Sequence, residues 1–155
     1  MVLGQGILLA LSIGDRFMND HRITLREAIK FHGHLGPYLI LGILAGEFAL
    51  KKLKTKKYFG LRVNVWGANR RPQSCFIDGL QLSTGATYGK GNIKKLNGSL
   101  IKVRFRNCAN NRKIALEFKD SLIKKLNQAR THRESELLAK KFYKIGCSGL
   151  FDLNS

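Results

Sequence analysis

Apolar positions along the chain change their spacing in a readable order. Thr24-Leu25-Arg26-Glu27 has the form of a capping box, and Leu25, Ala28 and Ile29 then recur at helical spacing up to Gly33. Gly36-Pro37 restarts the chain with proline at a first helical position. Residues 38–53 are apolar nearly all round until a run of lysines, the pattern of a buried central helix. Its small residues Gly42, Ala45, Gly46 and Ala49 leave room for another element to come close.

Leu61, Val63 and Val65 then alternate with Arg62, Asn64 and Trp66, the period of a half-buried strand that ends at Gly67. Ser74 is placed to cap a third helix over residues 75–83, stopped by Gly85. Asn97-Gly98 lies between two apolar segments and predicts a two-residue hairpin turn, with Ile101, Val103 and Phe105 on one face and Lys102, Arg104 and Arg106 on the other. Ile114, Leu116 and Phe118 mark a further strand, and residues 120–127 and 134–145 read as closing helices. Helices first, then strands mixed with helices, predict an α+β fold with a mainly antiparallel sheet packed with helices.

A chain of 155 residues suits one hydrophobic core, and 44% hydrophobic with 25% charged residues places it in the globular range. The expected organisation is one domain over residues 18–155, with residues 1–17 as an extension ahead of the first patterned segment. Residues 2–13 are apolar but too short to span a bilayer and lack a basic leader, so a cytoplasmic protein without membrane association is expected. The formal charge of +18 attracts polyanions. Its cations are spread over a helix end, a loop at Arg70 and Arg71, and one strand face, as on an ordinary solvated surface. Nucleic-acid binding on this reading is non-specific, and a dedicated basic nucleic-acid module is the alternative.

Cys75, Cys108 and Cys147 form no Cys-x-x-Cys pair, which excludes a zinc ribbon and a disulfide framework and points to reduced thiols. Cys75, at the predicted start of the third helix, is placed where the dipole favours thiolate, the form that binds metal or attacks an electrophile. Asp78 follows one turn later and could orient a ligand or hold a proton. The alternative is a buried structural thiol beside a carboxylate that suits the dipole. His32 and His34 flank Gly33, whose freedom permits a kink aiming both rings at one cleft. Alternatively, one ring caps the helix and the other packs beneath the next. The run Thr84, Gly85, Thr87, Gly89, Lys90 and Gly91 offers amides and a cation that could hold a phosphate, a carboxylate or another small anionic ligand, although its spacing is not that of a P-loop.

Phe31-His32-Gly33-His34-Leu35-Gly36-Pro37, Ser74-Cys75-Phe76-Ile77-Asp78-Gly79-Leu80-Gln81 and the Thr-Gly-Ala-Thr-Tyr-Gly-Lys-Gly-Asn of residues 84–92 resemble the signature of the FmdE family of formylmethanofuran dehydrogenase proteins. The resemblance covers roughly residues 24–118. It implies an α+β core, often a homodimer, with His32, His34, Cys75 and Asp78 around a metal-binding active site, and Thr84, Thr87 and Lys90 beside it. It also implies association with a molybdenum or tungsten one-carbon enzyme, as a catalytic protein or as a non-catalytic accessory component. Gly36 and Ala86 stand where many relatives carry cysteine, and the family's C-terminal zinc finger has no cysteines here. The expected cofactor is a divalent transition metal, zinc by the character of a thiolate with imidazoles, bound by His32, His34 and Cys75. Cys75, Asp78 as base and Lys90 as a charge stabiliser are the expected catalytic groups.

Overall fold

The computed structural model describes residues 22–154. The suspected extension over residues 1–17 lies outside them. Helices α1 (Leu25–His32) and α2 (Pro37–Leu53) come first, followed by β1 (Leu61–Trp66), α3 (Cys75–Thr84), β2 (Ile93–Leu96), β3 (Lys102–Asn107) and β4 (Lys113–Phe118). Helices α4 (Asp120–Gln128) and α5 (His132–Ile145) and strand β5 (Phe151–Asn154) close the chain. The α+β class read from the sequence is the one observed.

The first turn of α1 is held as its sequence requires. The Thr24 hydroxyl accepts from the Glu27 amide, and the Glu27 carboxylate accepts from the Thr24 amide. This pairing holds the Glu27 carboxyl below its ordinary pKa, with the Thr24 backbone amide as the leading cause. Gly33 ends the helix at φ +96°, a left-handed conformation that glycine adopts without steric cost. The chain therefore turns sharply between His32 and His34.

Helix α2 is the centre of the core. Leu39, Ile40, Leu41, Ile43, Ala45 and Ala49 are all fully buried, as expected of a helix apolar on every side. Against it lies α3, and the two backbones touch. A methyl group on Gly42 would overlap the Phe76 carbonyl oxygen, and one on Gly79 would overlap the Leu39 carbonyl oxygen. Gly46 meets Ser83 in the same way, and the Ser83 hydroxyl donates to the Gly79 carbonyl at 2.8 Å. The small residues of α2 are thus the seat of α3.

The sheet runs in the order β2-β1-β3-β4-β5. Three neighbouring pairs are antiparallel, and β2 lies parallel to β1. This corrects the hairpin expected at Asn97-Gly98. The chain leaves β2 on one side of β1, crosses its end and returns as β3 on the other side. Gly98 serves that crossing: a methyl group there would sit 3.0 Å from Trp66 Cβ and 3.1 Å from the Gly67 nitrogen. The Asn69 amide donates to the Gly98 carbonyl at 2.9 Å. The same Asn-Gly pair that favours a tight hairpin here permits close passage over a strand end.

Leu61, Val63, Val65, Ile93, Val103, Phe105, Ile114 and Leu116 face the helices and are buried. Phe118 gathers Tyr38, Phe76 and Phe151 around it, with ring centroids 6.3, 5.3 and 5.6 Å away. Strand β5, which the sequence pattern did not reveal, is fixed through Phe151. Arg62, Arg104 and Lys113 occupy the opposite, exposed face. Among the described residues no single helix is long and apolar enough to cross a membrane.

A glycine-to-alanine change inside a helix ordinarily stabilises it by up to about 1 kcal/mol. At Gly42 and Gly79 the sign should reverse, because the added methyl meets backbone that cannot rotate away. Gly42→Ala or Gly79→Ala should each destabilise the protein by roughly 1–3 kcal/mol or more, whereas Gly89→Ala, with only the Thr87 hydroxyl 4.0 Å from the added carbon, should change little. Chemical denaturation of the three variants measures this. Unchanged stability at both crossing positions would contradict the close approach.

Candidate functional site

The α2–α3 contact fixes where the start of α3 lies relative to the end of α1. His32, in the last turn of α1, directs Nδ1 to Asp78 Oδ2 at 2.7 Å. A carboxylate can only accept, so the Nδ1 proton donates to it and Nε2 is the nitrogen left for a ligand. The His32 side chain is 9% exposed, and Nε2 is buried with no hydrogen-bond partner. A buried polar atom left without a partner is costly, so its retention calls for an explanation. Gln73 Oε1, in the turn before α3, is a second such atom.

His34 lies beyond the Gly33 turn, with its ring centroid 4.6 Å from that of His32. On its other side is His132, the first residue of α5, at 6.1 Å. Burial first, then the neighbouring His32 and His132, push the His34 pKa below its ordinary value. Its imidazole therefore keeps a free lone pair to lower pH than an unperturbed histidine would. A side chain at position 36 would begin 3.7 Å from His34 Nε2. Position 36 is thus beside this ring.

Cys75 starts α3, but its surroundings differ from those expected. Ser74 has helical φ and ψ and makes no capping bond through its side chain. A tight turn leads into the helix instead: the Cys75 amide donates to the Pro72 carbonyl at 3.1 Å and the Phe76 amide to the Gln73 carbonyl at 3.1 Å. The unpaired amides expected to favour a thiolate are already bonded. Burial, and next the Asp78 carboxylate, raise the Cys75 pKa above its ordinary value, against a smaller lowering by Arg71. The anticipated low-pKa thiolate is therefore corrected to a thiol.

The loop after α3 is largely satisfied by its own bonds. Thr84 is buried, its hydroxyl donating to the Leu80 carbonyl and accepting from the Ala86 amide at 3.1 Å. Gly85 ends α3 at φ +69°, and a methyl group there would strike the Tyr58 ring. The Thr87 amide donates to Asn92 Oδ1 at 2.9 Å, the Lys90 amide to the Thr87 hydroxyl at 3.3 Å and the Gly91 amide to the Tyr88 carbonyl at 3.0 Å. Lys90 Nζ turns back to the Thr87 hydroxyl at 3.0 Å and lies 5.9 Å from the Phe59 ring centre. Gly89 is exposed at the tip. Tyr88 is 52% exposed, and burial first, then the Asp78 carboxylate, raise its pKa above the ordinary value.

His32, Asp78 and His34 thus stand together, with Cys75 within electrostatic reach of the shared carboxylate. Among the described residues no three His, Cys, Asp or Glu side chains form a ready-made metal group. Sequence reasoning missed Tyr88, Arg71 and His132. Tyr88 lies inside the 84–92 motif and Arg71 just before the one that opens at Ser74, so position in the sequence could have suggested them. His132 lies within the capping box of α5, and nothing in its sequence neighbourhood signals the site.

A family model described as "FmdE, Molybdenum formylmethanofuran dehydrogenase operon" matches residues 31–147. The chain belongs to the FmdE family. No curated protein matches it. Among solved structures, a tungsten formylmethanofuran dehydrogenase FmdE-like protein from Syntrophus aciditrophicus is similar, with a TM-score of 0.59 at 21% identity, over 83% of this chain and 67% of that one. That likeness supports the same fold. The match to the FmdE model spans both the histidine motif and the Cys75–Asp78 motif.

The three thiols differ enough to be ranked. Cys108 is exposed, whereas burial and then Glu47 push the Cys147 pKa up to about 12. Alkylation at pH 8 with peptide mapping should label Cys108 first, Cys75 more slowly and Cys147 last. Faster labelling of Cys75 than of Cys108 would restore the dipole-favoured thiolate.

Proposed function

We propose that this FmdE-family chain binds a divalent transition metal, zinc by its donor chemistry, at His32 Nε2, with His34 and Cys75 completing the protein's share of the ligands. The observation that carries this reading is the buried, partnerless Nε2 on a ring whose other nitrogen donates to Asp78. Imidazole ligands of metals are commonly held this way, the carboxylate fixing the ring and increasing its basicity. Neither the His34 nor the Cys75 side chain makes a hydrogen bond among the described residues, so neither has a competing partner, and the His34 ring already lies 4.6 Å from that of His32. A raised thiol pKa is compatible with this role, since a coordinating metal deprotonates the thiol it binds.

The site's own groups then divide the work. Asp78 orients His32 and keeps its proton on Nδ1. His34 supplies a second imidazole whose pKa is held below its ordinary value by burial and by the neighbouring His32 and His132. When bound, a zinc-like ion supplies Lewis acidity toward a carbonyl or an activated water. The family name associates the chain with a molybdenum or tungsten one-carbon enzyme, and we place the site in that setting, as an active centre or as the metal site of an accessory component.

A second reading follows from the same atom: His32 with Asp78 is also the arrangement of a histidine general base oriented by a carboxylate. Titration calorimetry with zinc separates the two. The metal reading expects about one ion per chain, a 10- to 100-fold loss of affinity in Asp78→Asn, and near-complete loss in His32→Ala. His34→Ala and Cys75→Ser should each weaken binding, and Gly36→Cys should strengthen it by adding a thiol beside His34. Zinc affinity that ignores both Asp78→Asn and His32→Ala would leave only the general-base reading.

A further inference from the structure

The cations that look scattered along the sequence are collected by the sheet. Cross-strand register sets Arg62 of β1 directly opposite Arg106 of β3, and Arg106 directly opposite Lys113 of β4. One step along, Lys94 of β2 faces Asn64, and Asn64 faces Arg104. Together these five cations line a cavity of about 360 Å³ on the face away from the helices, with no carboxylate among its lining residues. Among the described residues none of the five takes part in an ion pair. Arg106 donates only to the neutral Asn111 side chain, at 3.0 Å.

Like charges placed directly opposite one another destabilise a sheet. Three of them in one row, without an acid to relieve them, have no structural benefit in the free protein. A bound polyanion would remove the repulsion. Arginine supplies three of the five, and its planar fork suits phosphate oxygens. A second concavity of about 450 Å³ adjoins the first through the shared Arg104 and is bordered by Trp66, Lys102 and Glu117, the last set opposite Lys102 across the strands. The Arg104 guanidinium lies 5.3 Å from the Trp66 ring centre. A flat π surface is therefore placed at the end of a row of cations.

We propose that this open face of the sheet binds single-stranded nucleic acid, phosphates along Arg62, Arg106, Lys113 and Arg104, and a base against the Trp66–Arg104 pair. An aromatic platform beside a basic track is the physical requirement for such binding, and it tolerates any base sequence. Arg104 and Arg106 lie two residues apart along β3, roughly 7 Å, a separation close to that of successive phosphates in an extended strand, and Arg62 and Lys113 flank Arg106 on the neighbouring strands. An acidic protein surface would use the charge but has no need of the indole. The proposal is independent of the histidine site.

Trp66 is the chain's one tryptophan, so its emission reports on the face directly. The experiment titrates full-length protein with a labelled 12-nucleotide single strand of mixed sequence, following both anisotropy and tryptophan emission from 50 to 300 mM KCl. Binding should quench the emission, and with four phosphates held the log–log salt slope should be about −3. Arg104→Gln with Arg106→Gln should lose tenfold or more in affinity and reduce the slope by about 1.4. Lys51→Gln with Lys52→Gln, the same charge change on the exposed end of α2, should lose less than threefold. Trp66→Leu should lose roughly tenfold. Equal losses in the two double variants, or unquenched emission, would overturn the proposal in favour of diffuse charge. Displacement by poly-glutamate at equal charge concentration would overturn it in favour of an acidic protein partner, and equally tight binding of ATP would reduce it to a mononucleotide pocket.

Discussion

Everything at the histidine site depends on how closely α3 approaches α2. At Gly42 and Gly79 there is no side chain on either side, so the two helix backbones meet at van der Waals distance. The contact sits one residue beyond Asp78. Any larger residue at the crossing would push the start of α3 outward and carry Asp78 away from the end of α1. The 2.7 Å bond from His32 to Asp78 is thus a consequence of packing in the core, with the chemistry placed at its edge. Gly33 supplies the complementary constraint by turning the chain so that His34 returns beside His32.

That geometry gives the two nitrogens of His32 different fates. Nδ1 is committed to a carboxylate that is 41% exposed, while Nε2 points into protein that offers it no partner. The surrounding groups share one property: burial opposes charge on His34, Cys75 and Tyr88 alike. Apart from the Asp78 carboxylate, the site's own groups are therefore disfavoured from carrying charge. This contrasts with the exposed sheet face, where Arg62, Arg106 and Lys113 stand in one row and the acids, Glu117 and Asp152, lie apart from that row on β4 and β5. One small domain thus has a weakly charged, partly buried imidazole site and a strongly charged open surface.

Much of the framework was legible in the sequence because it is local. The capping box at Thr24, the apolar α2, the β1 alternation and the helix stops at Gly33 and Gly85 each depend on neighbours within a few residues, and all were found. The parallel β1–β2 pair was not, since Asn97-Gly98 favours a hairpin locally while tertiary packing uses Gly98 to clear Trp66 and Gly67. Strand β5 was missed because four residues carry little periodicity of their own and Phe151 is held by Phe118. At the site, the motifs identified His32 and Asp78, but their bond depends on the helix crossing. The thiolate expected at Cys75 failed because burial, which distant segments create, and then Asp78 oppose it, and because the turn after Pro72 had already bonded the amides. His132 and the row of cations arise only when distant segments meet.

The most direct test of the central claim is the tautomer of His32, read from nitrogen-15 correlations of its imidazole in the wild-type protein with and without one equivalent of zinc. The expected result is a proton on Nδ1, lost as a fixed feature in Asp78→Asn, together with a large shift of Nε2 alone when zinc is added. A proton residing on Nε2, or a zinc response at Nδ1 instead, would contradict both the role of Asp78 and the assignment of Nε2 as the open position of the site.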